Sequence, residues 1–396
     1  MRVIGLDVCK NSVNACLLTA KPDDPREFYY QYEFHKIYAD SVGIATLLSL
    51  KPDVAILEPT GMNYSKLWVE TLSRAGVEVR YVDHKKLRNY RQIQLALPDK
   101  DDDADSLALA CYYFDYGQIH SRFVWMRDPT ISKIKELMLR LHHLTKVKSP
   151  IINRLRQDLA WQFPEVMGVK SVTSGDAEVP LLWGWMAGER ESEKYDRLYK
   201  ETIGLGLNNN SRFHARRLCD IERETNLIEE ELQGLLASEK FAKYREVFEQ
   251  FRFGDRVQAN ILCQIFPIQR FYGEGGKPEV KILKGRNSRK PTTRYLSLRR
   301  FQKALGMAPS QESSGDKSKA KVISGSEICR KSLWQWVFST LEPVKCSKRT
   351  TPILERLGEV IDTEKTSGRP VQLVRNRVAA RAAKILFEEL VKTLQN

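Results

Sequence analysis

An α/β domain followed by mostly helical chain is the fold class the sequence predicts, from three observations. Strand-like runs open the chain and give way to alternating helix and strand up to about residue 125. Two long amphipathic stretches fill most of residues 126–250. The remainder, residues 251–396, is strongly basic. Three strands and then alternating helix and strand is the order of an RNase H-like domain, although periodicity alone gives only α/β.

The elements follow in order. Residues 2–8 (RVIGLDV) are apolar and β-branched, and residues 13–19 (VNACLLT) follow a turn at Lys10-Asn11-Ser12. Residues 28–34 (FYYQYEF) are aromatic with partial alternation and read as a third strand. Then come a helix at Ser41–Leu50, a strand at Val54–Glu58, a helix at Tyr64–Ala75, a strand at Val79–Val82, and helical segments from about Lys85.

Asp128-Pro129 is an N-cap with proline at the first helical position. Ile131, Ile134, Met138, Leu141 and Leu144 recur at helical spacing and the pattern continues to Leu155 and Leu159, with Pro150 expected to kink or interrupt it. A second helix is expected over Phe213–Gln250, with Leu218, Ile221, Ile228, Leu232 and Leu235 on one stripe. The pair suits an antiparallel hairpin or a coiled coil, and its stripes suit plain core or a dimer seam. Residues 165–210, punctuated by Gly, Ser and Asn and carrying Trp183, Trp185 and Tyr195, read as an insertion.

With 396 residues there is room for two or three domains. No apolar run approaches 18 residues, which excludes a membrane span, and Asp7 and Lys10 break the N-terminal run that a signal peptide would need. Seven cysteines form no C-x-x-C pair and the six histidines do not cluster near them. That argues against zinc and a disulfide framework and for a reducing compartment. The formal charge is +14, of which residues 251–396, with 29 Lys+Arg against 13 Asp+Glu, carry +16. A basic third joined to a near-neutral remainder suits a polyanion partner; simple solubility is the plainer reading. Residues 277–303 hold ten basic residues and one acid, Glu279, and read as a solvated loop or a phosphate-contacting segment. Lys281, Lys284, Arg286, Arg289 and Lys290 are its candidate nucleic-acid contacts.

Four carboxylates stand out in the first domain. Asp7 and Glu58 each end an apolar run, and Asp102 and Asp105 are three apart where the chain turns helical, so they share one face of a turn. Such a set suits hard Mg²⁺ and phosphodiester chemistry. It suits equally a solvated helix cap, Asp101 to Asp103, beside an unrelated strand-end acid.

The motifs IGLDVCKNS, EPTGMNY and KDDDADSLALA together resemble the DEDD-type insertion-sequence transposases, a family that includes Piv-like DNA invertases and bridge-RNA-guided recombinases. The resemblance covers all three regions. It implies a RuvC-like DEDD catalytic domain at 1–125, a helical coiled-coil middle at 126–250 with an insertion at about 165–210, and a mainly helical basic transposase domain at 251–396. Glu58-Pro59-Thr60-Gly61 matches the family's E-x-T-G element, and Lys100 to Ala104-Asp105 its K-x-D-x-x-D-A element with Ser106 for the usual Ala. By that match Asp7, Glu58, Asp102 and Asp105 are the catalytic Mg²⁺ ligands, while Asp99, Asp101 and Asp103 have no motif position. Leu305-Gly306-Met307-Ala308-Pro309 followed by Ser313-Ser314-Gly315 matches the turn and nucleophile signature and implies Ser314 as the catalytic serine, with Ser313 next in line. Of the family's hairpin glycines only Gly254 remains, and Asp83-His84 stands where Asn-Pro is common.

The activity implied is Mg²⁺-dependent cleavage and exchange of DNA strands through a phosphoserine. Implied partners are DNA, a structured non-coding RNA and further copies of the chain, as a dimer or dimer of dimers, in the prokaryotic cytoplasm at the nucleoid. Two other readings stay open: a RuvC-like metal-dependent nuclease using water, and a non-catalytic nucleic-acid-binding protein derived from a transposase.

Overall fold

The computed structural model describes residues 1–395 except 60–63, 98–99, 125–127, 174–176, 286–288, 309, 315–316, 322–324 and 344–348, and gives the backbone alone for 121, 310–314 and 317–321. The chain divides into two compact units, Met1–Arg127 and Asp128–Asn396.

The first unit is built on one five-stranded sheet. Its strands are β1 (Val3–Val8), β2 (Ser12–Leu18), β3 (His35–Tyr38), β4 (Val54–Leu57) and β5 (Glu78–Tyr81). Their order is β3-β2-β1-β4-β5, with β2 antiparallel to both neighbours and β1, β4 and β5 parallel. That is the strand order and direction of an RNase H-like sheet. The helices are α1 (Pro25–Gln31), α2 (Ser41–Ser49), α3 (Lys66–Arg74), α4 (His84–Asn89) and α5 (Asp102–Tyr116). Alternation along β1 sends Ile4, Leu6 and Val8 into a core with Trp68 and Leu72 of α3, and Val3 into an opposite core formed largely by α4 and α5. Gly5 and Asp7 therefore face the α5 side, and so does Glu58, two residues beyond Ile56 of β4.

The expected strand at residues 28–34 is wrong. Pro25–Gln31 is a helix, capped by Asp24, whose carboxylate accepts from the backbone N–H of Arg26 and Glu27 at 2.8 and 3.0 Å, with Pro25 at the first turn. The third strand is His35–Tyr38. Helical phase lets Phe28 and Tyr32 stack at 4.8 Å and pack against the α5-side core.

The second unit is helical. It contains α6 (Pro129–Gln162), α7 (Leu181–Ala187), α8 (Glu193–Lys200), α9 (Asn209–Leu236), α10 (Ala242–Gln250) and α11 (Asp255–Ile265). After these come a hairpin of β6 (Val280–Lys284) and β7 (Pro291–Tyr295), then α12 (Leu296–Ala304), a hairpin of β8 (Ser310–Ser314) and β9 (Lys317–Lys321), α13 (Glu327–Trp336), α14 (Pro352–Thr366) and α15 (Val371–Gln395). Ion pairs Lys133–Glu231, Arg140–Glu224 and Lys148–Glu222 run in opposite sequence directions, so α6 and α9 form an antiparallel hairpin within one chain.

Pro150 does not interrupt α6. It is exposed, and buried residues on both sides, Leu141 and Leu144 before it and Leu155 and Leu159 after it, are fixed in core. The expected helix Phe213–Gln250 does break, at Ala237–Phe241, where Ser238 and a short 3₁₀ turn separate α9 from α10. Residues 165–210 are not structureless: α7 and α8 bury Trp183 and Tyr195 in a small separate core with the end of α6 and the start of α9. The main core of this unit takes in the first half of α6, the second half of α9 and most of the following helices. Six described cysteines are free. Among the described residues no helix is long and apolar enough to cross a membrane.

Candidate active site: an acidic cluster in the first unit

Two neighbouring parallel strands set the floor of the site. Leu6 of β1 pairs with Leu57 of β4, so the next residue of β1, Asp7, and the residue following β4, Glu58, emerge at the same strand ends. The third element, α5, has to lie close to β1 to bring its first turn over them. Gly5 permits this: a Cβ there would stand 2.0 Å from the carbonyl oxygen of Ser106 and 2.6 Å from the backbone nitrogen of Ala110.

The acidic run that opens α5 divides by role. Asp101 is the N-cap, accepting from the Ala104 N–H at 2.7 Å and from the Tyr29 hydroxyl at 2.6 Å. Asp103 accepts from Asn14 Nδ2 at 2.7 Å. Asp102 and Asp105 interact with Asp7. Asp99 and the Thr60-Gly61 of the E-x-T-G element lie outside the described residues.

Asp7 is the centre of the cluster. Burial, then the charges of Asp102, Asp105 and Glu58, push its carboxyl up to about 7, and it shares a hydrogen bond with Asp102. Burial also raises Glu58 and Asp105, opposed in Glu58 by His84 and in Asp105 by Arg91 and Lys100. His84 Nδ1 lies 2.6 Å from Glu58 Oε2, and Arg91 Nε, on a side chain only 2% exposed, lies 3.0 Å from Asp105 Oδ1. The Cys9 thiol donates to Asp102 at 3.3 Å, and its own ionisation is pushed up to about 11, chiefly by burial.

A cavity of about 440 Å³ opens beside Glu58 and Asp105, lined also by His84, Arg88, Arg91, Gln92 and Lys100. Of these cationic neighbours Lys100 stands in the K-x-D-x-x-D-A element, whereas Arg88 and Arg91 carry no sequence signal. Arg91 sits in a single π-helical turn, Tyr90–Gln94, that no periodicity announces. His84 was visible only as a departure from the usual Asn-Pro.

The donor set fits a hard divalent cation: oxygen ligands only, with mutual repulsion that such a charge would relieve. Among the described residues no three His, Cys, Asp or Glu side chains stand at ligating distance of one point. Glu58 is turned to His84 and Asp105 to Arg91.

The other expected site residues belong to the second unit. Ser314 is the last residue of β8, paired with Lys317, and Ser313 pairs with Ser318. Pro309 and Gly315 lie outside the described residues. The basic run is a hairpin rather than a loop: Lys281 and Lys284 are on β6, Arg289 and Lys290 precede β7, and Arg286 lies outside the described residues. Every residue of β6 is exposed. Lys281 is tied to Glu279 at 2.9 Å, and Arg300 holds the same carboxylate at 2.9 Å.

Residues 4–164 match the model of the DEDD transposase family of IS110 type, and residues 289–349 match the transposase family IS116/IS110/IS902, more than half of the chain between them. The chain belongs to the IS110 family of DEDD transposases. The transposase is also similar to a solved structure, Thermus thermophilus RuvC, at 12% identity over 31% of this chain and 100% of that chain, with a TM-score of 0.24. No curated protein matches it. As a member of this family it is a DNA-binding, DNA-recombining enzyme.

Proposed function

We propose that the transposase cleaves and exchanges DNA strands with Mg²⁺ held by Asp7, Glu58, Asp102 and Asp105, and with Ser314 as nucleophile. The observation that carries the reading is the convergence on Asp7 of three further carboxylates beside a cationic cavity. When bound, the ion would stabilise charge on the phosphoryl oxygens and favour the ionised serine. The protein's own residues do the rest. Arg88, Arg91 and Lys100 hold the phosphate that the carboxylates would otherwise repel. His84, fixed on Glu58, is placed to accept or return a proton. Attack forms a Ser314 Oγ–P bond while a P–O bond to the sugar breaks; the serine loses its proton and the departing sugar oxygen gains one.

Both groups must act on one phosphodiester, and a dimer or dimer of dimers is the assembly we infer, because assembly before chemistry restrains stray cleavage. The β6–β7 hairpin supplies phosphate contacts through Lys281, Lys284, Arg286, Arg289 and Lys290. A structured non-coding RNA carries target choice by base pairing, with the protein reading shape and phosphate. Its place of action is nucleoid DNA in a prokaryotic cytoplasm.

The test is a cleavage and adduct assay on element-end DNA. Asp7→Asn abolishes Mg²⁺-dependent exchange. Ser314→Ala removes the denaturant-resistant protein–DNA adduct, and Ser313→Ala keeps it. Cleavage retained by Asp7→Asn refutes the metal site. Cleavage without any adduct favours a second reading, hydrolysis by water, for which His84 beside Glu58 already offers a base.

A further inference from the structure

A second cavity, of about 400 Å³, lies in the second unit and is lined by Arg330, Lys331, Trp334, Gln335, Phe338 and Asn376. Its volume falls within the roughly 300–1,000 Å³ of small-ligand sites. We infer that it is a stacking slot for an unpaired base of single-stranded DNA, an inference that rests on the reading that the chain acts on DNA.

The floor is aromatic. Trp334 and Phe338 are four residues apart, with near-parallel rings, 18° between planes and 6.0 Å between centroids. Phe338 falls in a π-helical turn, Val337–Leu341, that continues α13, and it remains 49% exposed. Such turns gather at functional sites. The guanidinium of Arg375 sits over both rings, at 4.7 and 4.6 Å, and is not among the residues lining the cavity. Glu342 holds Arg375 in that pose, at 2.6 Å. Arg375, itself held by Glu342, thus braces both rings.

The rim is polar in the way a nucleotide needs. Gln335 and Asn376 each offer an amide donor and acceptor for a base edge. Arg330 and Lys331 supply positive charge; Lys331 pairs with Glu327 at 2.7 Å, both side chains well exposed, a contact weak enough to yield to phosphate. Along α15 the chain adds Arg377, Arg381 and Lys384, with no acid between Thr366 and Phe387. A duplex hides its base faces in its own stack, so this floor selects opened strands.

Fluorescence anisotropy with labelled single-stranded DNA, duplex DNA and single-stranded RNA of one sequence, in EDTA, tests this on the full chain. Phe338→Ala, at an exposed position that leaves the fold intact, weakens single-strand binding about tenfold and leaves duplex binding unchanged. A bromodeoxyuridine strand photo-crosslinks to the peptide containing Trp334 and Phe338 in wild type. Unchanged single-strand affinity, an equal loss on duplex, or a loss confined to RNA of the same sequence overturns the assignment. Binding in EDTA requires no cleavage, so failure here leaves the carboxylate chemistry standing, and failure of Mg²⁺-dependent exchange leaves this slot standing.

Discussion

Asp7 carries the largest electrostatic cost at the site, and that makes its replacement informative. Its carboxyl is pushed up to about 7 by burial and by three acidic neighbours. Removing the charge relieves both penalties, so Asp7→Asn melts a few degrees higher than wild type in EDTA at pH 8 while losing exchange activity. Added Mg²⁺ raises the wild-type melting temperature by mass action and barely moves that of the variant. A lower melting temperature for the variant in EDTA would show that Asp7 is structural. Asp101 makes the contrasting case. As N-cap and partner of Tyr29 it organises α5 without meeting the phosphate, so Asp101→Ala costs about 1 kcal/mol in denaturant unfolding. Activity per folded molecule is retained. Asp101 stands directly beside Asp102 in one acidic run, and only hydrogen-bond geometry separates their roles.

At the scale of elements, the approach of α5 to β1 decides whether a site exists. Gly5→Ala places a methyl against the Ser106 carbonyl, where backbone must give way. The first unit should lose about 1–3 kcal/mol, and cleavage should fall further than stability because Asp102 and Asp105 move with the helix. Wild-type cleavage from Gly5→Ala would refute that coupling. A second element-level device is Glu342, which accepts from Arg375 and from Lys365, tying α14 and α15 to the turn after α13. Arg375 first, and then Lys365, lower its ionisation below the ordinary 4.5. A folded value below the unfolded one contributes stability that is present above about 4.5 and lost as pH falls through the lowered value. Glu342→Gln should therefore melt lower at pH 7, and the gap from wild type should close in acid; a gap independent of pH would refute the charge interaction.

Which elements were legible follows from where their signals lie. The strands β1, β2 and β4 were readable because continuous burial writes apolar runs. Residues 28–34 look strand-like because an aromatic run has no clear period, while Asp24-Pro25 carries the same helix-start signal as Asp128-Pro129. Pro150 misled because packing on both sides outweighs one lost hydrogen bond. In the site, the carboxylates were visible as motifs. Arg91 was not, since it depends on a π-helical turn that shifts a side chain off the 3.6-residue rhythm.

For the whole molecule, charge is divided more sharply than fold. Residues 251–396 carry +16 while the first 250 residues are close to neutral. The sign of that asymmetry favours a polyanion on the second unit, and the small acidic cluster in the first unit favours a cation before it favours phosphate. Binding should therefore be driven from the basic end and be strongly salt-dependent. Each phosphate neutralised contributes about −0.9 to the slope of log affinity against log salt on duplex DNA. Replacing Lys281, Lys284, Arg286, Arg289 and Lys290 together by Ala should flatten the slope by several units and weaken unrelated sequences equally. Lys281 should contribute less than a full unit, because Glu279 pairs with it and must be displaced first. Single replacements, read by anisotropy across a salt series, rank them. An unchanged slope in the fivefold variant would move the polyanion surface off the β6–β7 hairpin, leaving Arg330, Lys331 and the arginines of α15 as the remaining basic face to test.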